Sequence, residues 1–146
     1  MPEYVRRNKR TAGEMTQLEA GAIAEIVSEE AFKRGLNVWI DSSMRNADWW
    51  SLELDRLKRT YPHRLCILYV TADWEAVQAR EQRRGEQTER RIPPDVLRSV
   101  FNAVPKAIQQ LSHFVDECIH VDNNVRLPTL VPATARMKCG PSPPVH

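Results

Sequence analysis

The unbroken apolar run Leu65-Cys66-Ile67-Leu68-Tyr69-Val70 constrains this chain more than any other segment. Its residues do not alternate between polar and apolar, so the pattern predicts a parallel β-strand covered on both faces rather than a half-solvated one. Parallel strands cannot be joined by a tight turn; each needs a crossover connection, normally a helix. Two further short apolar runs answer that need. Asn37-Val38-Trp39-Ile40 ends in Asp41 and then Ser42-Ser43, and Cys118 to Val121 ends in Asp122-Asn123-Asn124. The first is expected to be a buried strand that delivers Asp41 to its carboxyl edge, and the second a short final strand.

Helical segments lie between these runs. Thr16-Gln17-Leu18-Glu19 has the form of a capping box, with Thr16 as the cap and Glu19 reaching back. Leu18, Ala22, Ile26 and Ala31 then keep helical spacing, joined by Ile23 and Val27, until Gly35 stops the helix behind Lys33-Arg34. Residues 47–60 place Trp50, Leu54 and Leu57 on one face, and Tyr61-Pro62 ends them. Thr71-Ala72-Asp73 opens a helix anchored by Trp74 and Val77. That helix turns polar after Val77, and Gly85 to Arg91 is expected to continue as a charged loop. Pro93-Pro94-Asp95 begins a last helix with the stripe Leu97, Phe101, Val104, Ile108 and Leu111, interrupted by Pro105. The order predicts a parallel α/β layer architecture, although three strands are few for a sheet covered on two faces.

The ends differ in composition from the middle. Residues 1–13 are basic, with Arg6, Arg7, Lys9 and Arg10. Five of the ten prolines lie at or after position 128, so 125–146 is expected to be a disordered, proline-rich tail. A single domain over 14–124 remains. No apolar stretch approaches the roughly 20 residues that span a bilayer, and no secretory leader is evident. The three cysteines, Cys66, Cys118 and Cys139, are odd in number and suit a reducing, cytoplasmic setting. The glycines stand at 13, 21, 35, 85 and 140, too scattered for a phosphate-cradling loop, and no G-x-x-x-x-G-K-[ST] occurs.

Several segments together resemble a known family. Glu19-Ala20-Gly21 opens a helix, and Asn37-Val38-Trp39-Ile40-Asp41-Ser42-Ser43-Met44-Arg45 follows. Tyr61-Pro62-His63 leads into Ile67-Leu68-Tyr69-Val70-Thr71-Ala72, and Arg90 precedes Ile92-Pro93, with Val104-Pro105 in the last helix. In order and spacing this run, over roughly 14–122, resembles the zeta toxin domain family of P-loop kinases. The resemblance implies an incomplete P-loop NTPase-type three-layer sandwich with a short parallel sheet. It also implies ATP and Mg²⁺ as cofactors, and phosphoryl transfer to a small-molecule hydroxyl. In bacterial zeta toxins that acceptor is UDP-N-acetylglucosamine. The similarity begins after the family's Walker A loop, and the family's catalytic base falls before residue 1.

Five residues carry roles by this resemblance. Asp41 matches a carboxylate that holds Mg²⁺ directly or through water. Arg45 matches an arginine near the nucleotide, and Arg80 and Arg90 match lid arginines that close over the phosphates. Glu19 is a candidate for the acceptor groove. Ser42, where the family often has Gly, and Asn46, where it often has Asp, depart from the pattern. Each residue also has a plainer reading. Asp41 can cap the turn through Ser42 and Ser43, Glu19 can serve only its capping box, and Arg83, Arg84 and Arg91 suit a solvated face. Cys118 and His120 share one face of a strand, as packed core residues rather than metal ligands. Trp49 and Trp50 are expected to divide between core and surface. Four N-terminal cations without interleaved aromatics, at a net charge of only +2, do not make a nucleic-acid interface. The expected function is a partial kinase domain inactive without the P-loop. The alternative is a non-catalytic pseudokinase that binds a nucleotide sugar or a protein partner.

Overall fold

The computed structural model describes residues 12–88, 91–124 and 129–131, with side chains from residue 16 onward. In order these form α1 (Ala12–Lys33), α2 (Ala47–Thr60), β1 (Cys66–Thr71), α3 (Trp74–Thr88) and α4 (Pro94–Leu111). A 3₁₀ turn (Ser112–Phe114), β2 (Glu117–Asp122) and β3 (Thr129–Leu130) follow. The fold is mixed α/β, with a short three-stranded sheet in the order β1-β2-β3. The chain divides into two compact units, Met1–Ile40 with Trp74–Arg98, and Asp41–Asp73 with Ser99–His146.

The second unit contains the sheet. β1 and β2 are parallel, pairing Ile67 with Cys118, Leu68 with Ile119 and Tyr69 with His120. The crossover between them carries α3 and α4, as parallel pairing requires. β3 adds two antiparallel residues, Val121 facing Leu130 and Asp122 facing Thr129. This strand falls within the segment expected to be a disordered tail; the other residues of that segment after Val131 lie outside the described ones. Leu54 and Leu57 of α2, Leu65, Ile67, Cys118 and Val115 join Ala107, Ile108 and Leu111 of α4 in the core. α4 runs through Pro105, and a hydrogen bond from Gln110 Nε2 to Ser51 Oγ links it to α2. Asp116 fastens the start of the sheet. Its Oδ2 accepts from the Leu65 amide at 2.8 Å, its own amide donates to the Leu65 carbonyl, and Lys58 Nζ lies 3.0 Å from Oδ1.

The sheet departs from the expectation of two covered faces. Ile67, Tyr69 and Thr71 share a face with Cys118 and His120, and that face meets the core. On the opposite face Leu68 is 41% and Val70 49% exposed. The segment 37–41 is not a strand: residues 36–46 have no regular structure. A strand persists only where its amides and carbonyls find a neighbouring strand, and the described sheet pairs none with Val38–Ile40. Trp39, expected to be buried, is accordingly 80% exposed.

The first unit is mainly α1 and α3. α1 already includes Ala12, so Thr16 lies inside the helix and the proposed capping box does not start it. Its C-terminus follows the glycine signal. Leu36 N–H donates to the Ala31 carbonyl and Gly35 N–H to that of Phe32, with Gly35 at φ +68; these bonds define a Schellman motif. A Cβ at Gly35 would meet nothing within 4 Å. Gly35→Ala is therefore expected to cost only the left-handed backbone penalty, about 1–2 kcal/mol, read from chemical denaturation.

Leu18, Ile23, Ile26 and Val27 are all exposed rather than forming a core-facing stripe. At about 100° per residue, Ile23 and Val27 occupy a different arc from Leu18 and Ile26, with Glu19 and Glu30 between them. The helix therefore has no single apolar face. α3 continues to Thr88, four residues past the point where its composition suggested a loop, with Gly85 buried. The Glu81 carboxylate accepts from the Ile92 amide at 2.8 Å, and the Arg98 guanidinium sits 3.7 Å over the Trp74 ring. This cation–π contact fixes the approach to α4.

Candidate functional site

Asp41 and Arg45 belong to the irregular segment before α2. Asn46 closes that segment by capping α2, its Oδ1 accepting from the Trp49 amide at 3.2 Å. Met44 adopts a left-handed φ of 51, and its amide donates to Ser42 Oγ at 3.1 Å. A side chain other than glycine in that region is uncommon, so the turn is set by the Ser42 hydroxyl rather than by Asp41. Asp41 and Arg45 are both exposed and, among the described residues, take no part in an ion pair or side-chain hydrogen bond. The turn-capping role open to Asp41 in sequence thus falls to Ser42 and Asn46.

Glu19 is exposed on α1 and Arg80 on α3, both in the other unit, and Arg90 lies outside the described residues. Trp49 and Trp50 meet edge to face at 4.8 Å; Trp49 is exposed and Trp50 half-buried, as expected of neighbours on one helix.

A second polar constellation lies at the carboxyl ends of β1 and β2, the place where open α/β sheets receive ligands. Thr71 Oγ1 and His120 Nε2 share a hydrogen bond of 2.7 Å, and the His120 ring stacks on Tyr69 with centroids 5.0 Å apart. Burial raises the Tyr69 phenol above its ordinary pKa, and Cys118 adds to the shift. Beyond the strands, the Asn123 amide donates to the Thr71 carbonyl, that of Asn124 to Asp122 Oδ1 at 2.9 Å, and that of Asp73 to Asn124 Oδ1 at 2.6 Å. In the sequence, Cys118 and His120 read only as core residues, and this grouping is not apparent. Asp122-Asn123-Asn124 directly after an apolar run was the signal that could have found it.

Metal chemistry has limited support here. Among the described residues no group of three or more His, Cys, Asp or Glu side chains is arranged to hold an ion. Mg²⁺ with a nucleotide needs less, since one or two carboxylates suffice and phosphates and water complete the shell. Asp41 fits that demand. The phosphates themselves would need a cradle of consecutive amides, for which this sequence holds no glycine-rich loop.

Helices crossing between parallel strands, with polar groups at the strands' carboxyl ends, define the α/β class to which P-loop kinases belong. A family model described as Zeta toxin matches residues 1–127, and the chain belongs to the zeta toxin family. No curated protein and no solved structure matches it. The family is P-loop kinase-like and nucleotide-binding, with small-molecule substrates. No helix among the described residues is long and apolar enough to cross a membrane.

Proposed function

We propose that this chain is a partial zeta-toxin-type kinase domain that keeps charged groups of the nucleotide site without completing a phosphate cradle. Asp41 offers its carboxylate to Mg²⁺, Arg45 contacts the nucleotide, and Arg80 and Arg90 close over the phosphates. Glu19 meets the acceptor, a nucleotide-sugar-like hydroxyl compound. One observation carries the reading: the turn between Asp41 and Arg45 is held by Ser42 and Met44, so neither charge is consumed in building it. A bound ion or phosphate could therefore claim both at little structural cost. No phosphoryl-transfer step is assigned to the chain, because positive groups without the amide cradle lack most of the preorganised charge stabilisation that the reaction needs.

A non-catalytic binding module is the second reading. The Thr71, His120, Asp122 and Asn124 constellation favours it, since recognition there needs no P-loop. Calorimetry with Mg·ATP and with UDP-N-acetylglucosamine separates the two. The partial kinase domain is expected to show millimolar or weaker affinity for Mg·ATP, reduced further by Asp41→Asn. Micromolar nucleotide-sugar binding that ignores Asp41→Asn would replace it with the binding module.

A further inference from the structure

α3 carries its charges unlike the two helices before it. Every cation of α1 and α2 is paired: Lys33, Arg56 and Arg59 with an acid three or four residues earlier, and Lys58 with Asp116. On α3 the residues in those places are Ala79 and Arg80 for Arg83, and Arg80 and Glu81 for Arg84. Neither Arg83 nor Arg84 forms an ion pair or side-chain hydrogen bond among the described residues. The nearby acids are turned to other partners, Glu81 to the Ile92 amide at 2.8 Å and Glu86 to Gln82 Nε2 at 3.1 Å. At about 100° per residue, Arg80, Arg83 and Arg84 fall within about 100° of arc that contains no acid. All three are exposed, whereas Gly85, on the opposite side, is buried. Arginines at i and i+4 repel one another, so the isolated helix gains nothing from this stripe. The Glu81–Ile92 hydrogen bond adds to it, fastening the chain directly after exposed Arg91 to α3.

We propose that this face binds the phosphodiester backbone of a nucleic-acid strand, without regard to base, through Arg80, Arg83, Arg84 and Arg91. Two features choose that occupant over an acidic protein segment. The cations from 78 to 91 are all arginine, whose planar fork meets phosphate oxygens two at a time. Between the arginines of the arc lie only Ala76 and Gln87. A protein partner needs an apolar core to its interface, whereas contacts to a nucleic-acid backbone are made by charge and hydrogen bonds. A convex helix face likewise suits an extended strand rather than a small ligand, which concave pockets take. Glu81 is the positioning residue, since its carboxylate keeps the Arg91 segment beside the stripe. The inference goes beyond the kinase reading and needs neither nucleotide nor Mg²⁺.

Fluorescence anisotropy with a labelled oligodeoxythymidine, free of nucleotide and Mg²⁺, tests it across a series of salt concentrations. About three to four phosphate contacts predict a slope of log K against log salt of about −2 to −3. Arg83→Gln/Arg84→Gln should make the slope shallower by about 1.4, at about 0.7 per contact. Arg83→Lys/Arg84→Lys keeps both charges and should keep the slope. Glu81→Ala should be shallower than Glu81→Gln by about 0.7; both remove the same charge, but glutamine still offers the Ile92 amide an acceptor. Circular dichroism checks that each variant is folded. No binding at low salt, a slope unmoved by Arg83→Gln/Arg84→Gln, or equal slopes for the two Glu81 variants overturns the proposal. Poly-glutamate of matching length that competes as well as unlabelled oligodeoxythymidine also overturns it and makes an acidic protein segment the occupant.

Discussion

Replacing Leu111 with alanine is expected to destabilise the chain by about 3 kcal/mol, within the range of about 2–5 kcal/mol typical of buried leucines. Leu111 has 0% exposure and sits where the last turn of α4 meets the 3₁₀ turn beside buried Ser112. Around it in the same core are Ala107, Ile108, Val115, Leu54 and Leu57, most of them held in regular elements that cannot easily collapse into a cavity. With total stabilities of about 5–15 kcal/mol for ordinary domains, such a loss consumes a large share. Leu18→Ala is the matched control. Leu18 is 87% exposed, and its loss should change stability by no more than about 0.5 kcal/mol. Urea midpoints of the two variants check both values, and equal shifts would show that the core has been misplaced.

The second large effect is at Asp116. Its carboxylate caps the Leu65 amide and pairs with Lys58 where β1 and β2 begin. The Leu65 hydrogen bond chiefly holds its pKa below the ordinary carboxylate value, with Lys58 and then Arg64 adding to the effect, while partial burial opposes it. A lowered folded-state pKa means that the unfolded chain takes up the proton first. The stabilisation is therefore fully present above the unfolded value of about 3.9 and is lost as pH falls through the folded value. Asp116→Ala, which leaves the Leu65 amide without its acceptor, should cost about 1–3 kcal/mol at neutral pH. Asp116→Asn keeps an acceptor but not the charge. It should cost less and should remove this residue's share of the stability lost below about pH 4. A profile identical to that of the unchanged chain would contradict the assignment.

The segments most legible in the sequence are those whose partners are also in the described sheet. Leu65–Val70 is marked by uninterrupted apolarity and Cys118–Val121 by the Asp122-Asn123-Asn124 stop behind it, and β1 and β2 supply each other's hydrogen bonds. The Val38–Asp41 run has the same composition but no described strand beside it, and it remains irregular. Composition reports what a strand would bury; pairing decides whether a strand exists. The helix ends divide similarly. Gly35 could be read because a positive φ acts locally, whereas Thr16 looked like a cap although Ala12 already lies in the helix.

For the candidate site, residue types were more legible than placement. Asp41 and Arg45 stand on one short turn that Ser42, Met44 and Asn46 shape, which their spacing alone could not reveal. The Thr71–His120 hydrogen bond joins residues 49 apart in sequence. Only strand register brings them together; the local Asp122-Asn123-Asn124 pattern marks the strand end but not this bond.

The central proposal, a zeta toxin family domain with the charged groups of a nucleotide site but no phosphate cradle, is tested most directly by turnover. Purified chain incubated with ATP, Mg²⁺ and UDP-N-acetylglucosamine should release no ADP and no phosphorylated sugar above the enzyme-free control. ADP production that requires Mg²⁺, scales with protein and falls in Asp41→Asn would contradict it.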